Sequence, residues 1–375
     1  MPFLVFLAAF CSALTTARPS AGCGVTPQQS LGKAHLHHIN TREGQRRQFR
    51  SRLPLNYDEN KPTVLVIDIH GYTSSSYQQA QNSGFEGVAD ELNFVAVWPD
   101  GSNDDEGPNF PAGWNALGAT ASHSEEFGPT CYPDRRAWGH YNCYDSCGNC
   151  DVPGTNFTST CSAGSCHDDV AFIKAMLDVV EASICIDLDH VHCSGLSMGS
   201  MMCYEIAHSL SSRIASIAPV AGLPMLGFLD RAVPVKSPVS LLDLHGLIDG
   251  VIPANLSNVI GCNAGGPHGS TLSNDGFFYT PLLNVTRAWG GVNGCPGTSS
   301  GGAVEQAKTS LDGDRHWYCR FPEGKTCASG AEIVTCSGLF EHTWPWFDGD
   351  ETTETFARFA FDFMKAHPKV HSPDI

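Results

Sequence analysis

The chain has no long run of lysine or arginine, no internal repeat, no low-complexity tract and, beyond its first seventeen residues, no apolar stretch long enough to cross a bilayer. Each absence narrows what it does. With 22 Lys and Arg against 39 Asp and Glu, a formal net charge of −17 and no basic stripe, the surface repels phosphates and excludes nucleic acid as a partner. Without a later apolar run, no membrane span is expected in the mature chain. Without repeats or biased tracts, the 375 residues and a hydrophobic fraction of 42% read as material for one packed α/β domain with insertions.

What is present points to an oxidising compartment. Residues 2–17 form an uncharged apolar block ending in small residues, followed by Arg18, Pro19 and Ser20, which is the pattern of a secretory signal peptide. The expected organisation is a signal at 1–17, a single domain over 22–367 and a tail over 368–375. Three N-x-S/T acceptors, at Asn156, Asn255 and Asn284, agree with that route. So do sixteen cysteines, a number an oxidising compartment can convert to disulfides. Loss of Cys11 with the signal leaves an odd number, so one thiol is free or bonded between molecules. Cys193 and Cys203, on an apolar strand and the helix after it, are the expected sites of the free thiol.

Strand and helix patterns alternate along the chain. Continuous β-branched and aliphatic runs at 63–69, 94–98, 191–193, 214–220, 239–244 and 333–336 predict strands of a parallel sheet buried on both faces. A helix is predicted from Asp168 to Ala182, capped by Asp168 and Asp169, with Val170, Ile173, Leu177 and Val180 as its apolar stripe. Another follows near 351–365, burying Phe356, Phe359, Ala360 and Phe363. This is the βαβ rhythm. Residues 102–166 interrupt it as a Gly-, Pro-, Asn- and Cys-rich insertion carrying Trp114, Tyr132, Trp138, Tyr141 and Tyr144. It reads either as a wall over a pocket or as a stapled solvent-facing loop. Its Cys143, Cys147, Cys150, Cys161, Cys166 and His167 also have zinc-like spacing, against which the oxidising compartment weighs.

The strongest chemical signal is Gly195-Leu196-Ser197-Met198-Gly199, lying between the 191–193 strand and a helical pattern over 201–207. A serine on a tight strand-to-helix turn needs small neighbours to close the chain, and Gly195 and Gly199 supply them. The same turn aims the Met198 N–H at the place where an oxyanion forms. Such a serine needs a base and a carboxylate to orient that base. Asp249 follows the 239–244 strand in His245-Gly246-Leu247-Ile248-Asp249 and is preferred to Asp243, which lies within the strand. For the base, His342 follows the last strand, whereas His268 and His316 fall in irregular segments and His367 and His371 in or beyond the final helix. A second oxyanion donor is expected in His70-Gly71-Tyr72, as the Tyr72 N–H.

With these segments in hand, the chain resembles the secreted polyhydroxybutyrate depolymerase and feruloyl esterase family of α/β-hydrolases. The resemblance rests on His70-Gly71-Tyr72, Asp168-Asp169-Val170, Gly195-Leu196-Ser197-Met198-Gly199, His245-Gly246-x-x-Asp249 and His342-Thr343-Trp344-Pro345. It spans about residues 60–366. It implies the α/β-hydrolase fold, a mostly parallel sheet with helices on both faces, and a triad of Ser197, Asp249 and His342. The chain departs from the family at Glu341, where glycine usually precedes the histidine, and at Trp346, where glycine usually follows Trp-Pro.

The expectation is therefore a secreted serine esterase acting on small or polymer-linked esters, either polyhydroxyalkanoate or feruloyl and acetyl esters of plant cell-wall polysaccharide. It needs no metal and no organic cofactor. Trp344 and Trp346 either line a substrate groove or pack internally. A serine peptidase or lipase on the same fold and a non-catalytic binding module are the alternatives.

Overall fold

The architecture comes from a computed structural model that describes residues 17–42, 44–104, 111–120, 123–124, 128–129, 144, 146, 164–255, 266–274, 277–296, 305–309, 317–321, 327–345 and 353–371. In chain order the strands are β1 (Ala34–Asn40), β2 (Arg46–Arg52), β3 (Thr63–Ile69), β4 (Phe94–Pro99), β5 (His123–Ser124), β6 (Gly128–Pro129), β7 (Ile186–Leu196), β8 (Ser216–Val220), β9 (Ser240–Gly246), β10 (Thr271–Leu272), β11 (Phe278–Tyr279), β12 (Glu305–Thr309), β13 (Trp317–Phe321) and β14 (Ile333–Gly338). The helices are α1 (Ser76–Asn82), α2 (Phe85–Leu92), α3 (Asp169–Ser183), α4 (Met198–Ser209), α5 (Leu282–Asn293) and α6 (Glu354–Ala366).

Ten strands form one sheet in the order β1-β2-β4-β3-β7-β8-β9-β14-β13-β12. The six from β4 to β14 are parallel, and an antiparallel pair flanks them at each side. The strand period explains the two-sided core. Leu65 and Ile67 of β3, Val95 and Val97 of β4 and Leu241 of β9 face Phe172, Met176 and Leu177 of α3, Met202 and Ile206 of α4 and Trp289 of α5. The alternate residues Val66, Ala96, Trp98, Leu242 and Leu244 face Val88 of α2 and Phe356, Phe361 and Met364 of α6. This is the α/β-hydrolase fold, with apolar helices shielding both faces of a parallel sheet.

Parallel strands end at one edge, and that geometry gathers the site. The loops after β3, β7, β9 and β14 all leave the same carboxyl edge, which carries His70-Gly71-Tyr72, Ser197, Asp249 and His342 in four separate segments.

One sequence expectation is corrected. Cys193 and Cys203 are bonded to each other, with Cα atoms 5.7 Å apart. The chain reverses at the elbow, so α4 runs back along β7 and brings the two cysteines face to face. Further disulfides join Cys23 to Cys185, Cys295 to Cys327 and Cys319 to Cys336, and Cys166 is also disulfide-bonded. Every described cysteine is thus oxidised, so any unpaired one lies outside the described residues. So do Cys143, Cys147, Cys150 and Cys161; among the described residues no cluster of His, Cys, Asp and Glu is arranged to hold a metal ion. Nor is any described helix long and apolar enough to cross a membrane.

Candidate active site

Ser197 occupies a backbone conformation that side chains rarely adopt, φ 59° and ψ −122°, between the end of β7 and the first turn of α4. Packing forces it there. A Cβ on Gly199 would lie 2.0 Å from the Ile69 carbonyl oxygen, and one on Gly195 2.7 Å from the Gly199 carbonyl carbon. The Ser197 N–H donates to Val220 O at 2.9 Å and the Met201 N–H to Ser197 O at 3.0 Å, tying the turn to β8 on one side and α4 on the other. A third glycine escaped the sequence reading. Gly222 lies so close under the elbow that a Cβ there would stand 2.4 Å from Ser197 O. Nothing local marks it, because the contact spans 25 positions of chain.

The loop after β3 approaches the serine from the neighbouring strand. A Cβ on Gly71 would lie 3.3 Å from the Ser197 Cβ, so the backbone of Gly71 and Tyr72 passes directly beside Ser197. The buried His70 fixes that loop. Its Nε2 accepts from the Gly101 N–H at 2.9 Å, which puts the ring proton on Nδ1, and Nδ1 donates to Gly71 O at 2.7 Å. Burial lowers the His70 pKa and keeps this neutral tautomer. Since Gly71 C=O and Tyr72 N–H belong to one peptide plane, holding the carbonyl also aims the Tyr72 amide.

Trp114, assigned by sequence to the insertion, is a core residue. It is fully buried, its indole N–H donates to His70 O at 2.8 Å and its ring stacks on Phe172 of α3. Tyr144, also buried, donates from its hydroxyl to Pro111 O at 2.7 Å and lies against the Tyr72 side chain. These described parts of the insertion therefore brace the Tyr72 loop.

The candidate acid and base, Asp249 and His342, meet across 93 positions of sequence. His342 Nδ1 donates to Asp249 Oδ2 at 2.8 Å, while Asp249 Oδ1 accepts the N–H groups of Val251 and Ile252, each at 2.8 Å. Burial alone would raise the Asp249 pKa, but hydrogen bonding to His245 and His342 outweighs it and holds the carboxyl well below the usual carboxylate range. Asp243 is engaged elsewhere, accepting from the Tyr204 hydroxyl at 2.7 Å. Glu341 is exposed beside His342.

Two cavities meet at Ser197 and His342. One, about 590 Å³, is rich in amides and hydroxyls from Gln79, Gln81, Asn82, Thr343 and Thr353. The other, about 210 Å³, is lined by Met198, Met201, Met225, Ile252 and Tyr279. Trp344 forms part of the first wall but is 95% buried and packs on Phe356 of α6. Trp346 lies outside the described residues. Of the acceptor asparagines, Asn255 and Asn284 are exposed, and Asn156 is outside the described residues.

No protein-family model matches the chain. It is 25% identical over 252 residues to feruloyl esterase D of Neurospora crassa, covering 67% of this chain and 68% of that one. It is 23% identical over 337 residues to feruloyl esterase C of Emericella nidulans, covering 88% and 90%. Among solved structures, native sOPH superposes with a TM-score of 0.51 at 16% identity over 92% of this chain and 91% of that one, a likeness of fold. The chain is accordingly an ester hydrolase with the α/β-hydrolase fold, similar in sequence to these fungal feruloyl esterases.

Proposed function

We propose that this chain is a secreted serine esterase that cleaves carboxylic esters through an acyl-enzyme, with Ser197, His342 and Asp249 as its triad. The observation that carries the reading is a serine on a strained elbow facing the same two cavities as a histidine held by a buried carboxylate.

In the first half-reaction Ser197 Oγ bonds to the ester carbonyl carbon while its proton passes to His342 Nε2. The carbonyl π electrons move to oxygen, and the N–H groups of Tyr72 and Met198 stabilise that oxyanion. Collapse breaks the bond to the alcohol oxygen, which takes the proton back from His342. Water repeats the sequence on the acyl-serine and releases the acid. Asp249 keeps the His342 proton on Nδ1, leaving Nε2 free to act as base, and balances the imidazolium that forms.

The two cavities favour an ester with unlike halves. The methionine-lined cavity suits an apolar acyl group, since thioether chains adapt to its shape. The amide-lined cleft suits a polyhydroxyl alcohol such as a polysaccharide. Kinship with feruloyl esterases supports feruloyl or acetyl esters of cell-wall polysaccharide, with polyhydroxyalkanoate as the second polymer class. The apolar leader, four described disulfides and exposed Asn255 and Asn284 support export and glycosylation.

The test is hydrolysis of p-nitrophenyl acetate, methyl ferulate, acetylated xylan, polyhydroxybutyrate film and a peptide by the purified protein and its Ser197→Ala variant. The wild type should cleave the esters, and the variant should lose at least about 10⁴-fold in kcat. Equal rates for the two would overturn the mechanism, and cleavage of the peptide alone would overturn the esterase reading.

A further inference from the structure

Behind Asp249 lies a second set of ionisable groups that the triad does not use. His245, the penultimate residue of β9, is fully buried, with its Nε2 donating to Ile252 O at 2.7 Å. That bond commits a proton to Nε2. Its other ring nitrogen, Nδ1, lies 3.8 Å from Asp243 Oδ1, and neither atom has a hydrogen-bond partner. Two buried acceptors facing one another would repel, so a proton belongs between them. Asp249 Oδ2 lies 3.6 Å from His245 Nε2 on the opposite side. Among the described residues, the titratable groups that face His245 directly or through these carboxylates are Asp243 on its own strand, Asp249 in the following loop, Tyr204 of α4 behind Asp243, and His342 beyond Asp249.

Building on the triad reading above, we infer that His245 is a buried imidazolium that positions Asp249 for the reaction, pinning its loop and balancing the charge of Asp243. The pinning is a closed ring of contacts. His245 holds the Ile252 carbonyl, and the Ile252 and Val251 amides hold Asp249 Oδ1, which leaves Oδ2 aimed at His342. The balance is one of count. With His245 neutral, two ionised carboxylates would share a dry interior at an energy that low dielectric makes severe. With His245 charged, the group of Asp243, His245 and Asp249 carries one negative charge, which the His342 imidazolium neutralises as Ser197 attacks. The energetics agree in direction: burial opposes the charged ring, yet the two carboxylates raise the His245 pKa to about 10.

The test compares wild type, His245→Gln and the double variant Asp243→Asn/His245→Gln. The glutamine amide can still donate to Ile252 O but carries no charge. Removing the cation makes the surroundings of His342 more negative and favours its protonated form, so the acidic limb of the kcat/KM profile should move up by about one pH unit. kcat should fall with KM unchanged. The double variant, which removes one charge of each sign, should return the limb toward its original position. An unmoved limb and full kcat in His245→Gln would overturn the proposal, as would an equal displacement in both variants, which would signal packing rather than charge. Should His245→Gln fail to fold, ring ¹⁵N spectra of the wild type serve instead. The His245 signals should stay those of an imidazolium from pH 6 to about 9, where an ordinary histidine is neutral; a ring that has lost a proton at pH 8 sinks the idea. Absence of any wild-type ester hydrolysis would instead tell against the triad reading itself.

Discussion

The proposed nucleophile and its proposed base are held in opposite ways. Ser197 is fixed by backbone: three glycines without room for a Cβ, hydrogen bonds to β8 and α4, and a disulfide across the turn. His342 sits on a loop beyond β14, partly exposed, and its imidazole is held by one side-chain bond to Asp249. The nucleophile thus tolerates no movement, whereas the base has the freedom to turn between Ser197 and a departing alcohol. The elbow should therefore fail by unfolding and the base by loss of rate.

The sharpest break lies on the base side. Asp249→Asn keeps the shape but presents an amide to His342 Nδ1, favouring the tautomer that cannot deprotonate Ser197. kcat should fall by about 10⁴-fold, while calorimetry should show a moderate loss of stability, since the buried carboxylate also bonds His245, and a protein still folded at the assay temperature. A fall in stability without a fall in kcat would contradict the difference between the two regions.

Gly199→Ala tests the other side. Its Cβ would stand 2.0 Å from Ile69 O, an atom locked in the sheet, so the elbow or β3 must move. A loss of roughly 3 kcal/mol or more is expected in urea unfolding, with little soluble protein. A stable Gly199→Ala protein would mean that the elbow is looser than its contacts imply.

That contrast also explains what could be read from the sequence. Ser197 was legible because its constraints are local: small residues two positions either side, between a strand and a helix. Asp249 and His342 were legible through chain order and their place after strands. The hydrophobic runs marked every parallel strand of the sheet, since burial on both faces leaves an uninterrupted apolar signature. The edge strands β1, β2, β12 and β13 were missed because their residues are mixed; β1 reads AHLHHIN, with no apolar run or clean alternation. Gly222, Trp114 and the Cys193–Cys203 bond were missed for another reason. Each depends on which segments the fold brings together, and two buried cysteines ten positions apart look alike free or bonded until the helix is seen to double back on its strand.

The disulfide supplies a graded version of the same test. Replacing both Cys193 and Cys203 by serine removes a bridge that closes a loop of only about ten residues, so the expected cost is about 2–3 kcal/mol in urea unfolding. Because the glycine contacts and the Val220 hydrogen bond remain, kcat of the folded fraction should stay within a few-fold of wild type. A collapse of kcat at full stability would make the bridge part of the catalytic geometry.

The smallest effect concerns what reaches the site. Met225 lines the 210 Å³ cavity and is buried, so Met225→Ala enlarges the space offered to an acyl chain without replacing Ser197, His342 or Asp249. Longer acyl groups should gain relative to acetyl, by about tenfold in the ratio of kcat/KM for p-nitrophenyl octanoate over acetate, since a few methylenes of apolar contact are worth about that much. Gln81→Ala, in the amide-lined cleft, should leave that ratio alone and instead weaken discrimination among alcohols, raising KM for sugar esters but not for p-nitrophenyl esters. If Gln81→Ala moved the acyl ratio and Met225→Ala moved the alcohol preference, the two cavities would have exchanged roles. The alcohol would then leave past the methionines, although His342, which must protonate it, borders both spaces.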